Sequence, residues 1–173
     1  HRVVKTVDHY LPKDRYGAFS VLPSNLVPCC RDCNSEKSTY AGIDRSESLL
    51  HPYYDHIDAV AWLGCELRHE GGDWSPNFFI RTNEVEPSLR ERLVAHMNVL
   101  DLFDLYDVEG ARELNETRAI IRHTFQNGGS DAVKESCEQM CEGRSRLANN
   151  YWRVVLWKAA SIDVNFCEAD WAT

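Results

Sequence analysis

A short stretch near the start of the chain concentrates the residue types that hydrolytic chemistry uses: Asp8-His9, then Asn25, then Cys30-x-x-Cys33-Asn34-x-x-Lys37. A carboxylate beside a histidine at a strand end can hold a divalent cation. The adjacent imidazole, too constrained to share that cation, stays free to take a proton from water. Asn34, at the start of a helix, offers a second oxygen ligand of the kind a hard cation prefers. Asn25, on the intervening strand, could hold the imidazole in its working orientation through a side-chain hydrogen bond. Lys37, one turn along from Asn34, can reach a phosphate as a point charge. Cys30 and Cys33 read as half of a tetrahedral zinc site that ties the second strand to the helix, since two ligands alone do not close such a site.

These residues need a scaffold of two strands and a helix, and the flanking sequence supplies one. Residues 3–7 are β-branched and short, which predicts a strand running into Asp8-His9. Pro12, Gly17 and Pro23 punctuate a loop, Asn25-Leu26-Val27-Pro28 is a second short apolar run, and Cys30-Arg31-Asp32-Cys33 reads as a tight turn before a helix opening at Asn34. Residues 62–69 and 77–82 flank Gly71-Gly72-Asp73 and predict a hairpin. From Pro87 the periodicity becomes helical, through Leu89, Leu93, His96, Met97 and Leu100. A further helix is expected over 108–125, stopped at Asn127-Gly128-Gly129. Another is capped by Ser130-Asp131 and runs to Cys141 or beyond, and a last, buried helix covers 149–164. The fold class is α+β.

The constellation of Asp-His, a central Asn and a final Asn on a helix, at offsets of 16 and 25 residues from His9 and with the Cys-x-x-Cys knuckle, resembles the ββα-metal fold of HNH nucleases, in the variant ending in Asn. The resemblance covers roughly residues 3–55, including His51-Pro52-Tyr53. It implies a metal-dependent endonuclease that hydrolyses phosphodiester bonds in nucleic acid. Asp8 and Asn34 would bind one catalytic divalent cation, Mg2+ or Mn2+. His9 would be the general base, with Asn25 orienting it. In that family a Cys-x-x-Cys pair lies just before the first strand. The chain opens at His1 rather than Met, and the expectation is that the missing zinc ligands precede His1; the rival is that Cys137 and Cys141 complete the Zn2+ site. His51 either packs under the site or touches metal or phosphate.

A narrower resemblance lies in Asn98-x-x-x-Leu102-Phe103-x-Leu105-Tyr106 and in Tyr151-Trp152-Arg153 through Phe166-Cys167. These look like the helical tail of the HNH subunits that work beside an ATPase in Septu-type antiphage systems, some of them tied to retrons. The resemblance implies the toxic effector of a defence complex, with an ATPase subunit as partner, and with a retron reverse transcriptase and its noncoding RNA as a further association. It leaves open DNA, or RNA such as tRNA, as substrate. The expected organisation is a nuclease core over residues 1–56 and, over 57–173, a hairpin with a helical region that docks the partner.

Composition frames both readings. The chain carries 19 Lys+Arg against 27 Asp+Glu, a net −8, which excludes wrapping of nucleic acid by bulk electrostatics. Residues 1–46 hold seven basic and five acidic side chains, a balance of +2, and the remaining 127 hold twelve and twenty-two, a balance of −10. A weakly basic head on an acidic body places phosphate contacts in the head, with Arg15, Arg31, Lys37 and Arg45 as candidates. No run of about eighteen apolar residues predicts a membrane span, and the odd cysteine count fits a reducing, cytoplasmic compartment better than a disulfide framework. Trp152, Trp157, Cys65 and Cys167 read as core, and Cys29 as a buried thiol. The competing class is a non-catalytic nucleic-acid-binding or adaptor subunit that keeps its zinc knuckle for structure.

Overall fold

A computed structural model describes residues 3–145, 149–169 and 171. The chain forms two compact units. The first runs up to Ile57 and takes in Val85–Leu102; the second comprises Asp58–Glu84 and the chain from Phe103 onward.

In the first unit, β1 (Val4–His9) pairs antiparallel with β2 (Leu26–Cys30), and α1 (Arg31–Lys37) follows directly. The register sets Asp8 opposite Val27 and His9 opposite Leu26, so the Asp-His pair sits at the end of the ladder, with a bulge between Val4 and Thr6. The expected tight turn at Cys30–Cys33 is already helix. The Cys30 Sγ accepts a hydrogen bond from the Cys33 N–H at 3.3 Å and caps the first turn, so α1 begins at Arg31 rather than Asn34. Asp32 in the first turn and Lys37 in the last complement the helix dipole.

Helix α2 (Pro87–Val99) belongs to this first unit. Pro87 occupies its opening turn and the Glu86 carboxylate caps it, accepting from the Leu89 N–H at 3.2 Å. Leu93 and Met97 are fully buried. On the same helix the Arg92 guanidinium forks onto Asp55, with contacts of 2.7 and 2.6 Å, and also donates to the Leu49 carbonyl and the Ser48 hydroxyl. The arginine thus ties α2 to the segment that carries His51.

His96, one turn further on, accepts the Leu50 N–H at Nδ1, 3.3 Å away. Burial, helped by the nearby Arg92 charge, pushes its pKa down to about 4. The folded protein therefore holds His96 neutral while the unfolded chain protonates it near its ordinary 6.5. The stability this provides is complete above the unfolded value and is lost as pH falls from about 6.5 towards 4, by on the order of 3 kcal/mol in all. Denaturant unfolding measured across that range should show this loss in the wild type and a flatter profile in His96→Gln. Parallel profiles would remove His96 as the cause.

In the second unit, β3 (Leu63–Glu70) and β4 (Asp73–Ile80) form the expected hairpin, turning through Gly71 and Gly72 at φ of 62° and 89°. Positive φ at both turn positions is what a two-residue hairpin of type I′ requires and what glycine supplies without strain. Strand β4 alternates, burying Trp74, Phe78 and Ile80. Helix α3 (Leu102–Ser145) begins earlier than expected, and its backbone leaves helical geometry at Gly129, with φ 68° and ψ −160°. The anticipated stop is thus a break inside a longer helical run. Helices α4 (Trp152–Ile162) and α5 (Val164–Cys167) close the core, in which Trp152, Trp157, Leu156 and Phe166 are buried. Trp157 reaches the Glu113 carboxylate through Nε1 at 3.3 Å. Cys137 and Cys167 are buried and Cys65 is half-buried. No helix among the described residues is long and apolar enough to cross a membrane.

Candidate active site

At the open end of the β1–β2 ladder lies a cleft of about 410 Å3 lined by Asp8, His9, Lys13, Asp14, Asn34 and Ser38, among others. Three of the residues singled out by type and spacing, Asp8, His9 and Asn34, thus converge on one space. Strand β1 delivers the first two, and α1, started by its cysteine cap, delivers the third.

The His9 ring is held by a backbone group: its Nε2 lies 3.0 Å from the Ser20 carbonyl oxygen. A carbonyl only accepts, so Nε2 carries the proton and Nδ1 is the basic nitrogen of the neutral ring. Asn25 does not make the expected bond to this imidazole. It is 4% exposed, its Oδ1 accepts the Leu11 N–H at 2.7 Å, and its Nδ2 donates to the carbonyls of Leu11 and Phe19, both at 3.1 Å. It therefore staples the two ends of the connecting loop. Because Phe19 adjoins Ser20, Asn25 fixes the carbonyl that orients His9 and acts at one remove.

Lys37 also departs from expectation. Only 5% exposed, it donates to the His9 carbonyl at 2.7 Å and pairs with the Asp8 carboxylate at 2.9 Å. A lysine enclosed in this way is not a phosphate contact. The pair is reached across the fold from a helix position whose spacing says nothing about burial. Lys13 is the exposed cation in the cleft instead. It was missed because it lies in an aperiodic loop, with proximity to His9 as the only available signal. Arg15, Arg31 and Arg45 are exposed, and Arg15 lies over the Tyr16 ring.

His51 is 8% exposed and satisfied by protein atoms. Its Nε2 lies 3.0 Å from the Ser24 carbonyl, its Nδ1 accepts the Tyr53 N–H at 3.2 Å, and the rings of Tyr10 and Tyr54 pack on it at 4.4 and 4.5 Å. Both nitrogens are engaged, so it packs under the site and offers nothing to metal or phosphate.

Asp8 and Asn34 together present a carboxylate and an amide oxygen, a hard donor set suited to Mg2+ or Mn2+. Among the described residues, no three His, Cys, Asp or Glu side chains gather as a metal-binding group. The pairs Asp8 with Asn34 and Cys30 with Cys33 are each smaller than that. Cys137 is buried, and burial pushes its thiol up to about 12.

With this geometry in view, the chain is similar to two known proteins. It is 27% identical over 181 residues to protein ea31 of Escherichia phage lambda, a match covering 94% of this chain and 59% of ea31. It is 39% identical over 49 residues to the Septu protein PtuB of Bacillus thuringiensis, covering 28% of this chain and 18% of PtuB. The chain therefore spans less than two thirds of either relative. No family profile matches it, and no solved structure matches with significance.

Proposed function

We propose that the chain is an HNH-type endonuclease that hydrolyses phosphodiester bonds in nucleic acid with one divalent cation, and that it serves as the effector of an antiphage complex. The observation that carries the reading is the convergence of Asp8, His9 and Asn34 on one cleft beside Lys13. His9, with Nε2 committed to Ser20, takes a proton from water at Nδ1. Asp8 and Asn34 would hold Mg2+ or Mn2+, which when bound offsets the negative charge that develops on the phosphate. Lys13 faces the substrate phosphate, and Arg15, Arg31 and Arg45 supply further backbone contacts. Cys30 and Cys33 provide two of the four ligands of a structural Zn2+. The similarity to a Septu protein supports a defence role and a partner in a defence complex. The partner we propose is an ATPase subunit docked on the acidic helical region, with a retron reverse transcriptase and its RNA as a further association.

The test is to express the chain with its genomic neighbours, trigger it, and sequence the 5′ ends of DNA and small RNA. New ends that depend on His9 support the nuclease, and their location names the substrate, for which DNA is the expectation. Breaks confined to one tRNA loop would make it a ribonuclease. One observation favours a second reading: the Asp8 carboxylate is already matched by Lys37, as it would be in a non-catalytic adaptor. That reading predicts nucleic-acid binding with no cleavage sensitive to EDTA.

A further inference from the structure

The cleft joins an expected cation site to a lysine that has no room to leave it. Lys37 is enclosed, its ammonium set between the Asp8 carboxylate at 2.9 Å and the His9 carbonyl at 2.7 Å. The carboxylate oxygen it touches is Oδ2, so Lys37 fixes the carboxylate in one orientation and leaves Oδ1 as the oxygen to offer a metal. It also neutralises the carboxylate. Among the described residues the charged groups at the cleft are Asp8 and Asp14 against Lys13 and Lys37, and their formal charges cancel. Asn34 is uncharged.

Hard divalent cations bind through the charge of their ligands and give up hydration water reluctantly. A site with no net negative charge therefore retains such a cation poorly, however well its oxygens are placed. The missing charge is available from the substrate, because each phosphodiester is a monoanion with two non-bridging oxygens. We infer that Lys37 is a positioning residue that keeps the cation site neutral, so that the divalent cation is held only together with a substrate phosphodiester. This rests on the proposed nuclease reading. Its functional sense is that the free protein, in a cell rich in Mg2+ and with no target strand in the cleft, stays unloaded.

The test follows Mn2+ binding to the full chain by electron paramagnetic resonance, with and without dimethyl phosphate as the phosphodiester, each corrected against a protein-free blank. For the wild type the expected result is a dissociation constant of about 1 mM or weaker for Mn2+ alone, tightened at least about threefold by dimethyl phosphate. Lys37→Met removes the opposing charge and should bind Mn2+ alone at least about tenfold more tightly, with a smaller response to the phosphodiester, whereas Lys37→Arg should behave as the wild type. Micromolar Mn2+ binding by the wild type, indifferent to dimethyl phosphate, would overturn the inference. So would equal Mn2+ affinity in the Met and Arg variants. If Lys37→Met does not fold, the two wild-type measurements still decide. Asp8→Asn separates this inference from the reading beneath it: unchanged Mn2+ binding in that variant would remove the metal from Asp8 and overturn the nuclease reading itself.

Discussion

His9→Ala is expected to lower cleavage by at least about a hundredfold, the contribution typical of a positioned general base, while leaving the fold unchanged. The ring makes one described hydrogen bond, to the Ser20 carbonyl, and that carbonyl adjoins Phe19, which Asn25 holds independently. Losing the imidazole therefore removes the base without removing the loop. Circular dichroism and the unfolding midpoint should match the wild type, and nucleic-acid binding should survive. EDTA should reduce the wild type to the level of the variant, because the base and the cation each serve the same step and neither suffices alone. Equal cleavage by wild type and His9→Ala, measured with the partner subunit present, would end the proposal. Binding by both without cleavage by either would select the adaptor reading.

Asn25→Ala should do nearly the reverse, with its primary damage in stability. The side chain makes three hydrogen bonds at 2.7 to 3.1 Å to the backbone of Leu11 and Phe19, in a position 4% exposed. Truncation leaves an N–H and two carbonyls with their partner gone, a loss of about 3 kcal/mol. Asn25→Asp keeps an acceptor for the Leu11 N–H but sets a carboxylate against two carbonyl oxygens, so it should rescue little. Activity should fall with stability, because the Ser20 carbonyl is no longer fixed beneath His9. Denaturant midpoints close to wild type together with lost cleavage would mean that Asn25 contacts the imidazole directly after all.

The two variants mark where sequence was legible and where it was not. The β-branched run before Asp8 and the apolar run after Asn25 announced the strands, and the diglycine announced the hairpin, because each is a local signal with a local cause. The start of α1 escaped because its cap is the Cys30 sulfur, and sequence signatures for caps look for Ser, Thr, Asp or Asn. Lys37 was misassigned since lysines are almost never enclosed unless paired, and its partner lies 28 residues back, beyond any periodicity. The membership of α2 in the first unit rests on Arg92 meeting Asp55 across 37 residues, again a contact no local pattern encodes. What could be read was which residues meet; which atoms they present to one another depended on long-range packing.

The break at Gly129 resets the helical phase. On an ideal helix Leu114 and Ile121 lie about 20° apart, one stripe, but Ile121 and Val133 would be separated by about 120°. Yet Leu114, Ile121, Val133 and Cys137 are all buried. The non-helical φ and ψ at Gly129 give residues 130–145 an angular origin of their own, so the two halves of α3 can each turn an apolar stripe inward without sharing one period. Chain length at this point is therefore fixed by angle. Deleting Gly129 and running the helix straight through would instead set Val133 about 20° from Ile121, so the extra residue and its non-helical angles together set where the second half faces.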